Sequence, residues 1–293
     1  MTAARRCAPH THGQGRASRA APVPRSASGL PRGKDLPESW TGKNWACHQL
    51  STQAEGDTLL FLDADVILTK NAIANSVNLF VRKNASMLSI FPTQIIKSTG
   101  EWLIVPLMNW LLLTFLPLLT VYKLKNKIFS AANGQFILID SKIYSLIGGH
   151  ERVKSKVVED MELCRLVKEN DNKVITVLGD KSVFCRMYNS FNEAFDGFTK
   201  NFFRGFNLSK AAFLFFISSL VILFLAPFFL LLTNEVFSLI VILILIERVF
   251  VSILSGQNWM YNILLHPLQI IIMYLIGFRS TFKKGIKWKE RVL

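Results

Sequence analysis

Two carboxylates one residue apart, Asp63 and Asp65, close the short apolar run Thr58-Leu59-Leu60-Phe61-Leu62. A run of this length reads as a strand buried on both faces, as in parallel sheets. Unpaired charge is too costly for such a core, so the two acids belong at the end of the strand. In an open α/β sheet that end is where ligands bind. Residues i and i+2 of a strand share a face, so Asp63 and Asp65 would converge on one ligand. An oxygen pair of this kind suits Mg2+ or Mn2+ with a phosphate as co-ligand. An Asp-rich turn after a strand is an equally ordinary outcome for the same residues.

Other groups are less specific on their own. Gly42-Lys43 precedes a helical stretch, 45–54, so Lys43 and the helix N-terminal amides could meet an anion. The plainer reading is a loop and a surface helix, and the glycine spacing of a Walker loop is absent. Glu159 and Asp160 open a helix expected over 157–170, where acids are ordinary partners of the helix dipole. His150, after Gly148-Gly149, reads as a satisfied loop histidine. The four cysteines are widely spaced, with no CxxC and no Cys/His metal spacing, which points to reduced, structural thiols.

The elements that must position these residues follow from periodicity. A helix is expected over 70–82 with Thr69 as N-cap, and strands over 87–91, 135–139, 174–178 and 183–187. A short helix is expected over 142–147, stopped by Gly148-Gly149. Residues 192–206 form an aromatic-rich amphipathic stretch. Residues 102–121 carry no charge but contain Pro106 and Pro117. They are long enough to span a bilayer, and a broken interfacial helix fits them as well. Residues 211–232 and 236–254 read as transmembrane helices, the second carrying Glu247 and Arg248, and 261–277 as a shorter third candidate.

Composition agrees with a soluble domain joined to a membrane region. Of 293 residues, 51% are hydrophobic. The net charge of +14 sits mostly at the two ends: seven basic residues and no acid lie in 1–34, and six stand against Glu290 in 278–293. Two basic tails do not make the basic folded face that nucleic acid requires, so nucleic acid is not expected as a partner. Anionic phospholipid is the expected partner of the C-terminal tail. Residues 1–34 have no hydrophobic period and no apolar core of a secretory signal, and are expected to be disordered.

The motifs in their order, Gly42-Lys43-Asn44-Trp45-Ala46, Phe61-Leu62-Asp63-Ala64-Asp65-Val66, Asn133-Gly134-Gln135-Phe136, Gly148-Gly149-His150, Glu159-Asp160, Lys200-Asn201 and Trp288-Lys289, together resemble the membrane-anchored family 2 glycosyltransferases. Within these the chain is most similar to the subgroup with the carotenoid (diaponeurosporenoate-type) and hopanoid-associated enzymes, over roughly residues 35–293. The resemblance implies an α/β GT-A fold of the nucleotide-diphospho-sugar transferase type, with this domain at 35–210, transmembrane helices at 211–277 and a basic tail at 278–293. It implies inverting transfer from a nucleotide sugar, of the UDP type, to a lipid or isoprenoid acceptor at the cytoplasmic face of the membrane. It places the metal, Mg2+ or Mn2+, on Asp63 and Asp65 and the catalytic base on Asp160. It places substrate contacts on Lys43, Gly134, Gln135 and Glu159. The family's first βαβ units, which hold the base and ribose, have no counterpart here: nothing before Trp40 reads as a strand, so the domain is expected to be N-terminally truncated and its sheet to have an uncovered edge. The alternative is an inactive fragment serving as a membrane scaffold or a lipid- or partner-binding protein.

Overall fold

A computed structural model describes residues 33–283 and the backbone of 287–288 and 291–292. The expectation of disorder for 1–34 therefore lies almost wholly outside the described residues, as does most of the basic tail.

The first half is mixed α/β. Its main sheet uses β1 (Thr58–Leu62), β3 (Met87–Phe91), β5 (Phe136–Asp140) and β6 (Val174–Leu178), in the order β1-β5-β3-β6. A second sheet, ordered β2-β7-β4, joins β2 (Val66–Leu68), β4 (Thr93–Gln94) and β7 (Val183–Cys185). The interspersed helices are α1 (Gly42–Ser51), α2 (Ala72–Arg82), α3 (Thr99–Ile104), α4 (Pro106–Phe115), α5 (Leu118–Lys123), α6 (Ser141–Leu146), α7 (Gly149–Arg152) and α8 (Glu159–Glu169). Contrary to the parallel setting read from its apolar run, β1 pairs antiparallel with β5, Leu60 opposite Leu138. β5 is also antiparallel to β3, and only β3–β6 is parallel. The strand is apolar on both faces because both are covered. Leu59 and Phe61 join a core with Ile137, Ile139, Leu163 and Val167, whereas Leu60 joins Ala72, Phe80, Leu88 and Leu138 on the other side. Among the described residues β1 has one strand partner and stands at the sheet edge.

Several boundaries depart from the periodic reading. α2 begins at Ala72 after Asn71, and neither Asn71 nor Thr69 acts as a side-chain cap. β5 starts one residue later than expected, because Asn133 Oδ1 accepts from the Gln135 amide at 2.9 Å and holds that residue in a turn. β7 ends at Cys185 rather than 187. Residues 102–121 do not form one helix: Pro106 opens α4, and Pro117 separates it from α5.

The second half is helical: α9 (Phe191–Phe206), α10 (Lys210–Phe224), α11 (Ala226–Leu230), α12 (Phe237–Leu254), α13 (Trp259–Leu264) and α14 (His266–Phe282). Two segments are long and apolar enough to cross a membrane, Lys210–Leu230 and Phe237–Leu254. Their outer faces expose large apolar side chains such as Phe215, Ile222, Phe229 and Phe250. The third expected span is interrupted, because Pro267 starts α14 just after α13 ends. A core of Ile104, Leu107, Trp110, Ala194, Leu220, Val251, Ile270 and Met273 joins these helices to α3 and α4. Glu247 and Arg248 diverge on α12. The Glu247 carboxylate accepts from Trp110 Nε1 (3.1 Å) and Thr114 Oγ1 (2.5 Å). Arg248 is 1% exposed, donates to Gln269 Oε1 and lies 5.4 Å from the Trp110 ring centroid. Gln269 Nε2 in turn donates to the Trp102 carbonyl at 2.7 Å. The described strands β8 (Lys287–Trp288) and β9 (Arg291–Val292) pair antiparallel.

Candidate functional site

Four charged groups from three elements meet at one end of the main sheet. Asp63 follows β1, Lys43 stands in the first turn of α1, and Glu159 and Asp160 open α8. Lys43 is thus part of the helix, not of a preceding loop. Its ammonium lies 3.1 Å from Asp63 Oδ2, 3.0 Å from Glu159 Oε1 and 3.4 Å from the Gly134 carbonyl. Burial alone would lower the Lys43 pKa, but Glu159, Asp63 and Asp160 outweigh it and hold the ammonium well above its ordinary value. Its side chain is nevertheless 41% exposed, so solvent screens its pair with half-exposed Asp63, which contributes no more than about 1 kcal/mol, while the pair with buried Glu159 is screened less. Lys43 is charged at any neutral pH.

Asp160 is the most constrained carboxylate. Its Oδ2 accepts from the Gly134 amide at 2.7 Å and its Oδ1 from the Met161 amide at 2.8 Å. Burial and the neighbouring Glu159 carboxylate push its pKa up to about 6, against the pull of Lys43 and the two amides. A carboxylate poised there accepts a proton at neutral pH and passes it on readily. Burial also raises Asp63, with Lys43 opposing the rise.

Gly134 is the hinge of the arrangement. A Cβ there would meet Lys43 Nζ at 2.8 Å, Glu159 Oε1 at 3.2 Å and Asp160 Oδ2 at 3.4 Å. Only a residue without a side chain lets its amide reach Asp160 while its carbonyl faces Lys43.

Asp63 and Asp65 do not share a strand face. Strand β1 stops at Leu62, and 63–66 form a turn closed by the Val66 amide on the Asp63 carbonyl at 3.2 Å. Asp63 turns to Lys43. Asp65 is exposed and stands beside Cys185, whose thiol is pushed up to about 12 by burial and by that carboxylate. The Gln135 side chain leaves the Lys43 cluster and donates from Nε2 to Cys185 Sγ at 2.8 Å. The structure thus brings Lys43, Asp63, Gly134, Glu159 and Asp160 together, with Asp65 and Gln135 on the Cys185 side of the same turn.

Asn44, to which the sequence reading assigned no role of its own, locks this geometry. It is fully buried, and its Nδ2 donates to the carbonyls of Val153, Lys154 and Lys156 at 2.8, 3.1 and 3.0 Å. It thereby ties α1 to the loop leading into α8. His150 is buried beneath the site, its Nδ1 2.8 Å from the Tyr144 hydroxyl and its ring 4.8 Å from that of Phe61. Burial lowers its pKa to about 4, so it is neutral at physiological pH. The cavity at the site, lined by Lys43, Cys47, Asp63, Gly134, His150 and Glu159, measures about 50 Å³, room for little more than a water.

Among the described residues no three His, Cys, Asp or Glu side chains gather as a closed metal cage. Asp63 and Asp65 are hard oxygen donors of the kind Mg2+ or Mn2+ takes, but Asp63 is engaged by Lys43 while Asp65 stands on the Cys185 side, so in this arrangement the two do not converge on one point. Compared with protein-family models and with curated proteins, the chain matches none.

Proposed function

We propose that the chain is a membrane-bound glycosyltransferase that uses a nucleotide-diphosphate sugar and a lipid-like acceptor, with inversion at the anomeric carbon. The observation that carries this reading is the meeting of Lys43, Asp63 and Glu159 around Gly134, with Asp160 raised to a pKa near 6 beside them.

In this reading Asp63 and Asp65 would hold Mg2+ or Mn2+, which would neutralise charge on the diphosphate leaving group. Lys43 turns from Asp63, its more exposed partner, to a diphosphate oxygen and keeps Glu159 beside it. Asp160 takes the proton of the acceptor hydroxyl as that oxygen bonds to the anomeric carbon, and the bond from that carbon to the diphosphate breaks. The nucleoside diphosphate departs with the electron pair, and Asp160 later releases its proton to solvent. The Gly134 and Met161 amides keep the carboxylate aimed throughout. Lys210–Leu230 and Phe237–Leu254 span the bilayer, which returns the chain to its starting face and leaves the catalytic domain and the basic tail in the cytoplasm.

The test is calorimetric titration of the detergent-purified chain with UDP-glucose, UDP-N-acetylglucosamine and UDP, with Mn2+ and with chelator. Metal-dependent binding that disappears in Asp63→Ala and Asp65→Ala is expected. The second reading, a non-enzymatic membrane scaffold, is favoured by the 50 Å³ cavity and by the edge position of β1. It is the answer if a folded chain binds none of the three ligands.

A further inference from the structure

A second cavity, of about 300 Å³, lies away from the Lys43 cluster, between the loop that leads into α8 and the last turn of α9. That is large enough for the polar end of a small ligand. Its walls are of two kinds. Lys156 and Arg204 bring positive charge, with Ser155 and Asn207 as hydrogen-bonding neighbours, while Val158 and Phe203 supply apolar surface.

The charge balance there is one-sided. The only carboxylate in the lining is Glu162, and it is already engaged by Arg165 Nη1. Arg165 Nη2 also donates to the Gly205 carbonyl at 3.0 Å, so the wall from α8 is fixed to the wall from α9. Among the described residues no carboxylate pairs with Lys156 or Arg204; Arg204 spends one N–H on the Lys200 carbonyl at 2.7 Å. The position is equally telling. Asn207 ends α9 in the left-handed conformation (φ 52°), Leu208 is exposed, and α10 begins two residues later at Lys210. The cavity therefore opens where the first apolar segment starts.

We propose that this cavity seats the anionic headgroup of a membrane lipid, held by Lys156 and Arg204, with Leu208 and Phe203 against the start of its acyl chains. The site rests on α10 entering a bilayer and not on glycosyl transfer. Val158 immediately precedes Glu159 and Asp160, so an occupant bears on the loop that presents the catalytic pair.

The test uses the full chain in dodecyl maltoside, titrated with short-chain phosphatidylglycerol or phosphatidylcholine and read by native mass spectrometry, alongside flotation with vesicles of each lipid. Retention of phosphatidylglycerol is expected to fall roughly tenfold or more in Lys156→Gln/Arg204→Gln. It is expected to stay at the native level in Lys125→Gln/Lys127→Gln, which removes two exposed ion pairs elsewhere. Ser155→Trp, which fills the mouth without touching charge, should reduce retention as well. The proposal is overturned if a folded double variant retains phosphatidylglycerol as the native chain does. It is also overturned if phosphatidylcholine is held equally, or if inorganic phosphate displaces the lipid at comparable concentration, which would make the pocket a site for free phosphate. A chain that floats with neither vesicle overturns the membrane reading and this inference together; one that floats but shows no difference between variants overturns this inference alone.

Discussion

Asp160 sets the pH behaviour expected of the site. Its folded pKa, near 6, lies above the ordinary 3.8, so the proton-accepting form is populated only as pH rises through about 6. Glycosyl transfer should therefore climb across that range. Glu159→Gln removes the negative charge that raises Asp160, so the rising limb should move to lower pH. Lys43→Met removes the cation that opposes the rise, so the limb should move to higher pH, with weaker donor binding. A pH–rate profile of the two variants that shifted in the same direction would sink this electrostatic account. Asp160→Asn should slow transfer about 10²–10⁴-fold with donor binding retained, measured by radiolabelled sugar transfer and by calorimetry. Gly134→Ala tests the close approach: a methyl group 2.8 Å from Lys43 Nζ must displace the ammonium, the flexible partner. Donor affinity should fall severalfold while the far-ultraviolet dichroism stays native.

At the scale of elements, Asn44 is the joint between α1 and the loop before α8. Asn44→Ala leaves the buried Val153 carbonyl and two half-buried ones short of a donor, a loss of about 1–3 kcal/mol. The thermal midpoint should fall by several degrees and donor binding should weaken with it, because Lys43 rides on the same helix. This joint was invisible to pattern reading. An asparagine in a helix's first turn has no periodic signature, and its three acceptors lie more than 100 residues away. Apolar runs were legible where both ends were bounded: Met87–Phe91 and Val174–Leu178 are the strands expected. The Asp63–Val66 turn was legible as one of two outcomes, an Asp-rich turn or a shared strand face, and alternation could not choose between them because it cannot tell the last residue of a strand from the first residue of a turn. The direction of β1 was hidden for a related reason. A strand covered on both faces looks the same in sequence whether its neighbour runs parallel or antiparallel. Asp63 was legible as a charge that a core would not tolerate, Lys43 as a lysine beside a helix N-terminus, and Glu159 and Asp160 as acids of a helix's first turn, but their meeting around Gly134 depends on the fold.

Across the whole molecule, polar contacts add to apolar packing, some within each half and some between the α/β half and the helical half. Buried Glu101, at the start of α3, pairs with Arg186 just beyond β7 at 3.0 Å. Arg279 on α14 pairs with Asp196 on α9 at 2.9 Å, and the Phe203 amide donates to Ser280 Oγ at 3.0 Å. Deepest among them is the set Trp102, Arg248 and Gln269, in which one glutamine amide serves both an arginine and a backbone carbonyl. Gln269→Ala strands a buried guanidinium and should lower the thermal midpoint in detergent strongly. Gln269→Ala combined with Arg248→Met should be less damaging than the sum of the two single changes. Additive losses would show that the two side chains do not act as a pair.

That same set bears on how the chain is assembled as it is made. Trp110 and Thr114 are synthesised well before Glu247, so its carboxylate meets waiting partners when α12 emerges. Gln269 comes 21 residues after Arg248. On the proposal that α12 enters a bilayer, for that interval it carries a guanidinium with no amide to receive it, against a cost of about 2.5–3.5 kcal/mol for mid-membrane placement. Its full insertion is then expected to depend on α14. On the same proposal, a chain ended just after Ser255 is therefore expected to insert less completely than the full chain, which protease protection of the two in microsomes would check.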